Sequence, residues 1–233
     1  PAAPIEPGQK GNTEKPGKIT PAMQQFYDAK KQYPDCVIFF RMGDFYETFC
    51  EDAQICAREL DITLTSRGRM PDGQDIPLAG VPYHAVDTYL SRMISKGYKI
   101  AICEQVEDPK KAKGIVKRAV VRVVTPGTVI DAALLSTEQA RYLMAVYPDQ
   151  KKKRVGLSFI DISTGDFQFT EIPSQDMQDG IRSEAARYHP SECIIPAGAG
   201  EDLVRFLHSI VPLVSSQDSS LFAKASAEEV LCR

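Results

Sequence analysis

The sequence has no tryptophan, only three histidines, and six cysteines without a CxxC pair among them. Without tryptophan a carbohydrate enzyme would lack its usual stacking platform. Asp44 with Glu47 or Glu51 could be imagined as a glycosidase pair, but nothing in the spacing fixes the separation such chemistry needs. His84, His189 and His208 lie far apart, as do Cys36, Cys50, Cys56, Cys103, Cys193 and Cys232, which argues against a structural zinc cluster. Most of these cysteines sit in apolar stretches and read as small core residues in a reducing compartment. There is no GxxxxGK[ST] segment, and "PAGAG" (196–200) lacks the lysine and hydroxyl of a phosphate loop. No apolar run approaches bilayer length, and the first twenty residues hold no secretory core, so a cytoplasmic protein is expected. The net charge of -3 gives no bulk basicity.

Charge is nevertheless uneven. Residues 20–126 carry 15 Lys+Arg against 14 Asp+Glu, and six of those bases fall between Lys110 and Arg122. Residues 137–233 carry 10 against 14 and are acidic. If either half meets a phosphate backbone, it is the first. Taken alone, the basic loop reads as a solvated turn, and so does "KKKR" at 151–154.

Residues 1–19 hold four prolines and three glycines with almost nothing to bury, so a disordered tail is expected. Thr20-Pro21 is a helix start, with Met23, Phe26 and Tyr27 on one face. "CVIFF" (36–40) predicts a strand that turns through "MGD" into "FYETF". A helix follows, its first turn acidic at Glu51 and Asp52 and its buried face at Ala53, Cys56, Ala57 and Leu60. "ITLTS" (62–66) predicts a strand and "RGRMPDGQDIPLAGVP" a long loop. Val86, Tyr89, Leu90, Met93 and Ile94 mark a helix from about 85 to 96, stopped by Gly97. "KIAICEQV" and "RAVVRVVT" predict strands. The first unit is therefore a mixed sheet with helices against it.

"TPGTVIDAALL" (125–135) reads as a linker, and a second unit starts near Ser136. "VGLSFIDISTGDFQFTEI" is its hairpin, followed by a helix near 176–188, the strand "ECIIP" and a helix near 201–210. That order suggests a ribonuclease H-like α/β sheet. The chain stops at Arg233 without a tidy terminus, so a fragment is expected.

Two places invite a chemical reading. If "DFYETF" is a strand, period two puts Phe45, Glu47 and Phe49 on one face and Tyr46 and Thr48 on the other. A carboxylate beside a strand core is costly unless it is paired or exposed. The pair could address something outside the fold, although on pattern alone a core Phe45 and an edge Glu47 is the better reading. Asp161 in "FIDISTG" stands where a nuclease of the ribonuclease H type has its first metal-binding carboxylate. "ECIIP" supplies no companion at its end, so a turn-capping aspartate is the better reading.

"FFRMGDFYETF", "LDITLTSRG", "IPLAGVPYHAVDTYLSRMISKGYKIAICEQVEDP" and "VVRVVTPGT", in that order, resemble the N-terminal part of the MutS family of DNA mismatch-repair proteins. The resemblance runs from Thr20 to Leu135 and continues less distinctively through "LSFIDISTGDF". It implies a disordered tail (1–19), a mismatch-recognition domain (20–124), a linker (125–135) and a ribonuclease H-like connector domain (136–233). The family's Phe-x-Glu motif falls on Phe45-Tyr46-Glu47. It implies that Phe45 enters the minor groove and stacks on a mispaired base while Glu47 hydrogen-bonds that base. Supporting contacts are expected from Arg67, Arg69, the loop around Leu78 and the strand holding Arg122, with Tyr46 in the core. The expected partners are mismatched double-stranded DNA, a MutL-type protein through the connector, and a second copy in the intact protein. ATP and Mg²⁺ belong to family domains without counterpart here. No cofactor or enzymatic activity is expected of these residues, and the setting implied is cytoplasmic, at the nucleoid.

Overall fold

The computed structural model describes residues 19–70, 73–107, 114–128 and 141–231. The expectations for residues 1–18, for Lys110, Lys111 and Lys113 of the basic loop, and for 129–140 of the linker and domain start lie outside them.

The first unit opens with α1 (Pro21–Gln32). The Thr20 hydroxyl caps it by accepting from the Met23 N–H at 3.3 Å. β1 (Val37–Met42) turns through Gly43 and Asp44 into β2 (Phe45–Phe49), which runs directly into α2 (Cys50–Leu60). A hairpin of β3 (Thr65–Arg69) and β4 (Asp75–Pro82) comes next, then α3 (Val86–Ser95), β5 (Ile100–Gln105) and β6 (Arg118–Val124). The sheet order is β3-β4-β2-β1-β5-β6, antiparallel throughout except for the central β1/β5 pair.

β1 reads as an unbroken apolar run because both of its faces are covered. Val37 and Phe39 point into a core with α2 and α3, whereas Ile38 and Phe40 point into a second core with α1. Phe39 and Phe40 are almost completely buried, and each stabilises the fold by about 1.5–3 kcal/mol. Gly97 ends α3 with a φ of 87°.

The long loop expected at 67–82 is a correction. Residues 67–69 belong to β3 and 75–82 to β4, which lies between β3 and β2. The strand was hidden because it too is covered on both faces: Ile76 and Leu78 meet the α1 core, Ala79 and Val81 the other. Pro77 is tolerated where the β3/β4 register shifts at a bulge.

The second unit is a five-stranded sheet. It is built from β7 (Tyr142–Asp149), β8 (Arg154–Asp161), β9 (Asp166–Pro173), β10 (Glu192–Pro196) and β11 (Val214–Gln217), in the order β11-β10-β7-β8-β9. Three antiparallel strands with two parallel additions form the ribonuclease H-like arrangement expected of a connector domain. β7 and β11 had no place in the sequence reading, yet β7 is the centre of the sheet. α4 (Met177–Tyr188) and α5 (Glu201–His208) pack on one face, and α6 (Lys224–Leu231) follows β11. Among the described residues no helix is long and apolar enough to cross a membrane.

One buried charge holds the α1 side together. Asp52 is 2% exposed; it accepts from Lys30 Nζ at 2.7 Å and from the Ile38 backbone N–H at 2.9 Å, and Lys30 also donates to the Cys36 carbonyl. Burial pushes the Asp52 carboxyl above the ordinary carboxylate range, against the pull of Lys30. Asp52→Ala leaves Lys30 and the Ile38 N–H without this partner. We expect a loss of about 3 kcal/mol, the low end for a broken buried pair because Lys30 is a third exposed. Urea unfolding monitored by far-UV circular dichroism measures it.

Candidate nucleic-acid interface

β2 enters from the tight Gly43-Asp44 turn, so its first side chain stands at the sheet's rim. Phe45 is 47% exposed there, while Tyr46, one residue on, is 6% exposed and packed in the α2–α3 core. The period-two reading of this strand therefore holds. Tyr46 is core, and its hydroxyl donates to Glu104. Phe45, Glu47 and Phe49 share the opposite face, and Phe49 is buried under α1. The core reading of Phe45 fails because α1 reaches Phe49 and leaves the rim of that face open.

Glu47 sits between these two regimes. Its cross-strand neighbours are Phe40 on β1 and Gly80 on β4. A Cβ at Gly80 would lie 3.8 Å from both Glu47 Cγ and Phe45 Cδ1. A longer side chain would stand over both residues, so glycine keeps this strip of sheet low. Arg67 Nη1 donates to both Glu47 carboxylate oxygens, at 3.2 and 3.3 Å, and the arginine side chain is 61% exposed against 15% for the glutamate.

Arg118 approaches from the far side. Its guanidinium lies over the Phe40 ring, 5.2 Å from the centroid. Nε donates to the Arg41 carbonyl at 2.6 Å and Nη1 to the Val116 carbonyl at 2.9 Å. Burial raises the Glu47 carboxyl above its ordinary value; Arg67 and then Arg118 pull it back only in part. Sequence reasoning missed Arg118. Its only signal was membership of the basic cluster, and nothing local distinguishes it from Lys117 or Arg122.

The other expected contacts are placed differently. Arg69 pairs with Asp75 across the β3/β4 hairpin at 3.2 Å, with both side chains more than half exposed. Leu78 is not in a loop: it lies in β4 opposite Phe49 and Thr65 and packs against the α1 core. Arg122 stands opposite Ile102, which points into the α2–α3 core, so its strand register puts it on the face away from Glu47. The structure thus brings Phe45, Glu47 and Arg67 together and separates Arg122 from them.

Asp161 is a turn cap. It is 2% exposed, its Oδ1 accepts from the Ser163 N–H at 2.9 Å and from the Ser163 hydroxyl at 2.6 Å, and its carbonyl accepts from Gly165. Among the described residues no group of three His, Cys, Asp or Glu side chains is placed to hold a metal ion.

Comparison with known proteins adds a second line of observation. Residues 20–133 match the model of MutS domain I, and residues 141–233 that of MutS domain II. The chain is 54% identical over 218 residues to the DNA mismatch repair protein MutS of Methanococcoides burtonii, covering 93% of this chain and 24% of that one. Against the MutS of Methanosarcina acetivorans it is 58% identical over 187 residues (76% and 21% covered). Against that of Ruminiclostridium cellulolyticum it is 52% identical over 179 residues (77% and 20%). The chain spans about a quarter of the length of the curated relatives it matches.

The Glu47 environment gives a signed pH prediction. A carboxyl raised in the folded state contributes stability below its unfolded value, and that contribution is lost as pH rises through its folded value. Ionised Glu47 is then a standing cost at neutral pH. Glu47→Gln should be close to neutral for stability at pH 4 and stabilising at pH 7, by thermal melting. In carboxyl-detected NMR, Arg67→Ala and Arg118→Ala should each move the Glu47 titration to higher pH.

Proposed function

This chain belongs to the MutS family, and on that premise we propose that it recognises mispaired or unpaired bases in duplex DNA, the opening step of mismatch repair. The observation that carries the proposal is the half-exposed Phe45 ring at the sheet rim, with Glu47 two residues along on the same face. The ring enters the minor groove and stacks on the displaced base, and the carboxylate hydrogen-bonds that base. Wedging a ring into a base step means unstacking it. That costs a few kcal/mol in paired duplex and less where pairing is already broken. Discrimination then comes from deformability rather than from a base code, which suits a protein that must accept many mispairs.

The carboxylate has a second role. An acid held near phosphates weakens binding to every ordinary step, and a displaced base that can share a proton with it relieves that penalty. Arg67 and Arg69 lie on the strand beyond Glu47 and serve the flanking backbone; Leu78 supports them from the core beneath. The second unit is acidic, so it opposes DNA and takes the connector's part: contact with a MutL-type partner and relay to the ATP-binding domains of the intact protein. The intact protein acts as a homodimer in the cytoplasm, at the nucleoid. ATP and Mg²⁺ act in those other domains, since these 233 residues contain no phosphate loop.

The test uses the intact protein. Phe45→Ala removes a stacking surface worth about 1–3 kcal/mol per base. Heteroduplex affinity should drop towards the homoduplex level while the melting temperature stays close to wild type, because an exposed ring leaves little cavity. Glu47→Gln should instead raise homoduplex affinity and change mismatch affinity less. A Phe45→Ala protein that still discriminates a single mispair, or that loses about 3–5 kcal/mol of stability as a core phenylalanine would, sinks the proposal.

A further inference from the structure

In the free protein Glu47 is already engaged. Arg67 takes both carboxylate oxygens through one nitrogen, so an approaching base meets an acceptor already shared with a cation. The two partners differ in exposure and anchoring. Arg67 projects from β3, whose five residues are all exposed, and its own side chain is 61% exposed. Arg118, the other cation the carboxylate feels, is pinned by two backbone carbonyls and by the Phe40 ring. The elements around Glu47 offer it Phe40 from β1, Gly80 from β4, Arg67 from β3 and Arg118 from β6. Of the two cations, one is exposed and one is anchored.

We propose that Arg67 is a specificity-determining latch on Glu47. It occupies the carboxylate in the free protein and leaves it for a DNA phosphate when a displaced base arrives, with Arg118 remaining as the fixed counter-charge. This rests on the mismatch-recognition reading above and adds the exchange. An arginine fork suits phosphate as well as carboxylate, so one side chain serves both states without remodelling the strand. The pair is open on the arginine side, 61% exposed against 15% for Glu47, and an ion pair that water reaches is worth little, about 0.2–1 kcal/mol when fully exposed, so a phosphate at the rim competes for the arginine.

The latch also filters. At an ordinary base step, where no base is displaced, a departing Arg67 leaves the carboxylate without its ion-pair partner and facing DNA, with Arg118 as the nearby remaining charge. At a mispair the base takes the vacated acceptor. Opening is thus offset only at the lesion. Arg118 keeps the site from becoming a bare negative charge in the interval.

Two measurements on the intact protein test the latch. In a structure on a duplex with one mispair, Phe45 should stack on a base, Glu47 should contact that base, and Arg67 should lie on a phosphate more than about 4 Å from the carboxylate, beyond ion-pair range. Phe45 stacked with the Arg67 fork still closed overturns the latch alone; Phe45 unstacked overturns the recognition reading itself. In solution, the pH profile of mismatch affinity has one break from Glu47 in the free protein and one from the complex. Arg67→Ala should raise the first and leave the second in place, whereas Arg118→Ala should raise both. If Arg67→Ala moves both breaks the pair persists on DNA, and if it moves neither the two side chains are uncoupled. Either result rejects the latch.

Discussion

Phe26 of α1 packs edge-on against Phe40 and Phe49, at ring separations of 6.0 and 5.1 Å. That contact, with Lys30 reaching across to Asp52, fixes how far α1 extends over one face of the six-stranded sheet. What it covers is core. What it covers only in part, two residues along the same strand from Phe49, is Glu47, and what it leaves bare, two further, is Phe45. The candidate site is the uncovered remainder of a face whose other part is among the most tightly buried in the protein. Aromatic density beneath it gives the rim a rigid base, and binding energy there is not spent on ordering a loop.

Electrostatics follow from the same geometry. Glu47 lies where the covered face gives way to the open one, and the loss of water there raises its carboxyl. Arg67 of β3 ion-pairs with it, and Arg118 of β6, over the ring of its neighbour Phe40, adds a favourable charge.

The second unit joins the first through a close backbone approach. Gly127, in the turn after β6, donates its N–H to Glu192 Oε2 at 3.2 Å, and Ser215 donates to the other oxygen at 3.2 Å. A Cβ on Gly127 would lie 2.9 Å from Glu192 Cβ and 3.1 Å from Leu143 Cδ1, so only glycine lets the turn seat against β7 and β10. Glu192 is 4% exposed, and its oxygens are satisfied by these two donors. The joint is a hydrogen bond with a tight packing contact beside it.

Local sequence was sufficient wherever a residue's role depends on its near neighbours. The Thr20-Pro21 cap, the α3 stripe, the β8/β9 hairpin and the alternation that sets Tyr46 on the face opposite Phe45 and Glu47 were all legible, because periodicity and capping act within a few residues. The order of the MutS motifs identified the family for a similar reason: motif order is a property of the string. Tertiary structure decided the rest. β4 looked like a loop because a strand covered on both faces loses its alternation, and β7 carried no local sign of being the central strand. Whether Phe45 is core or rim depends on where α1 ends above it. The roles of Arg118 over Phe40, of Arg122 on the far face and of Arg67 on Glu47 follow from strand order and register. Those pairings bring together residues 20 to 78 positions apart in the sequence, and no local pattern encodes a distance of that kind.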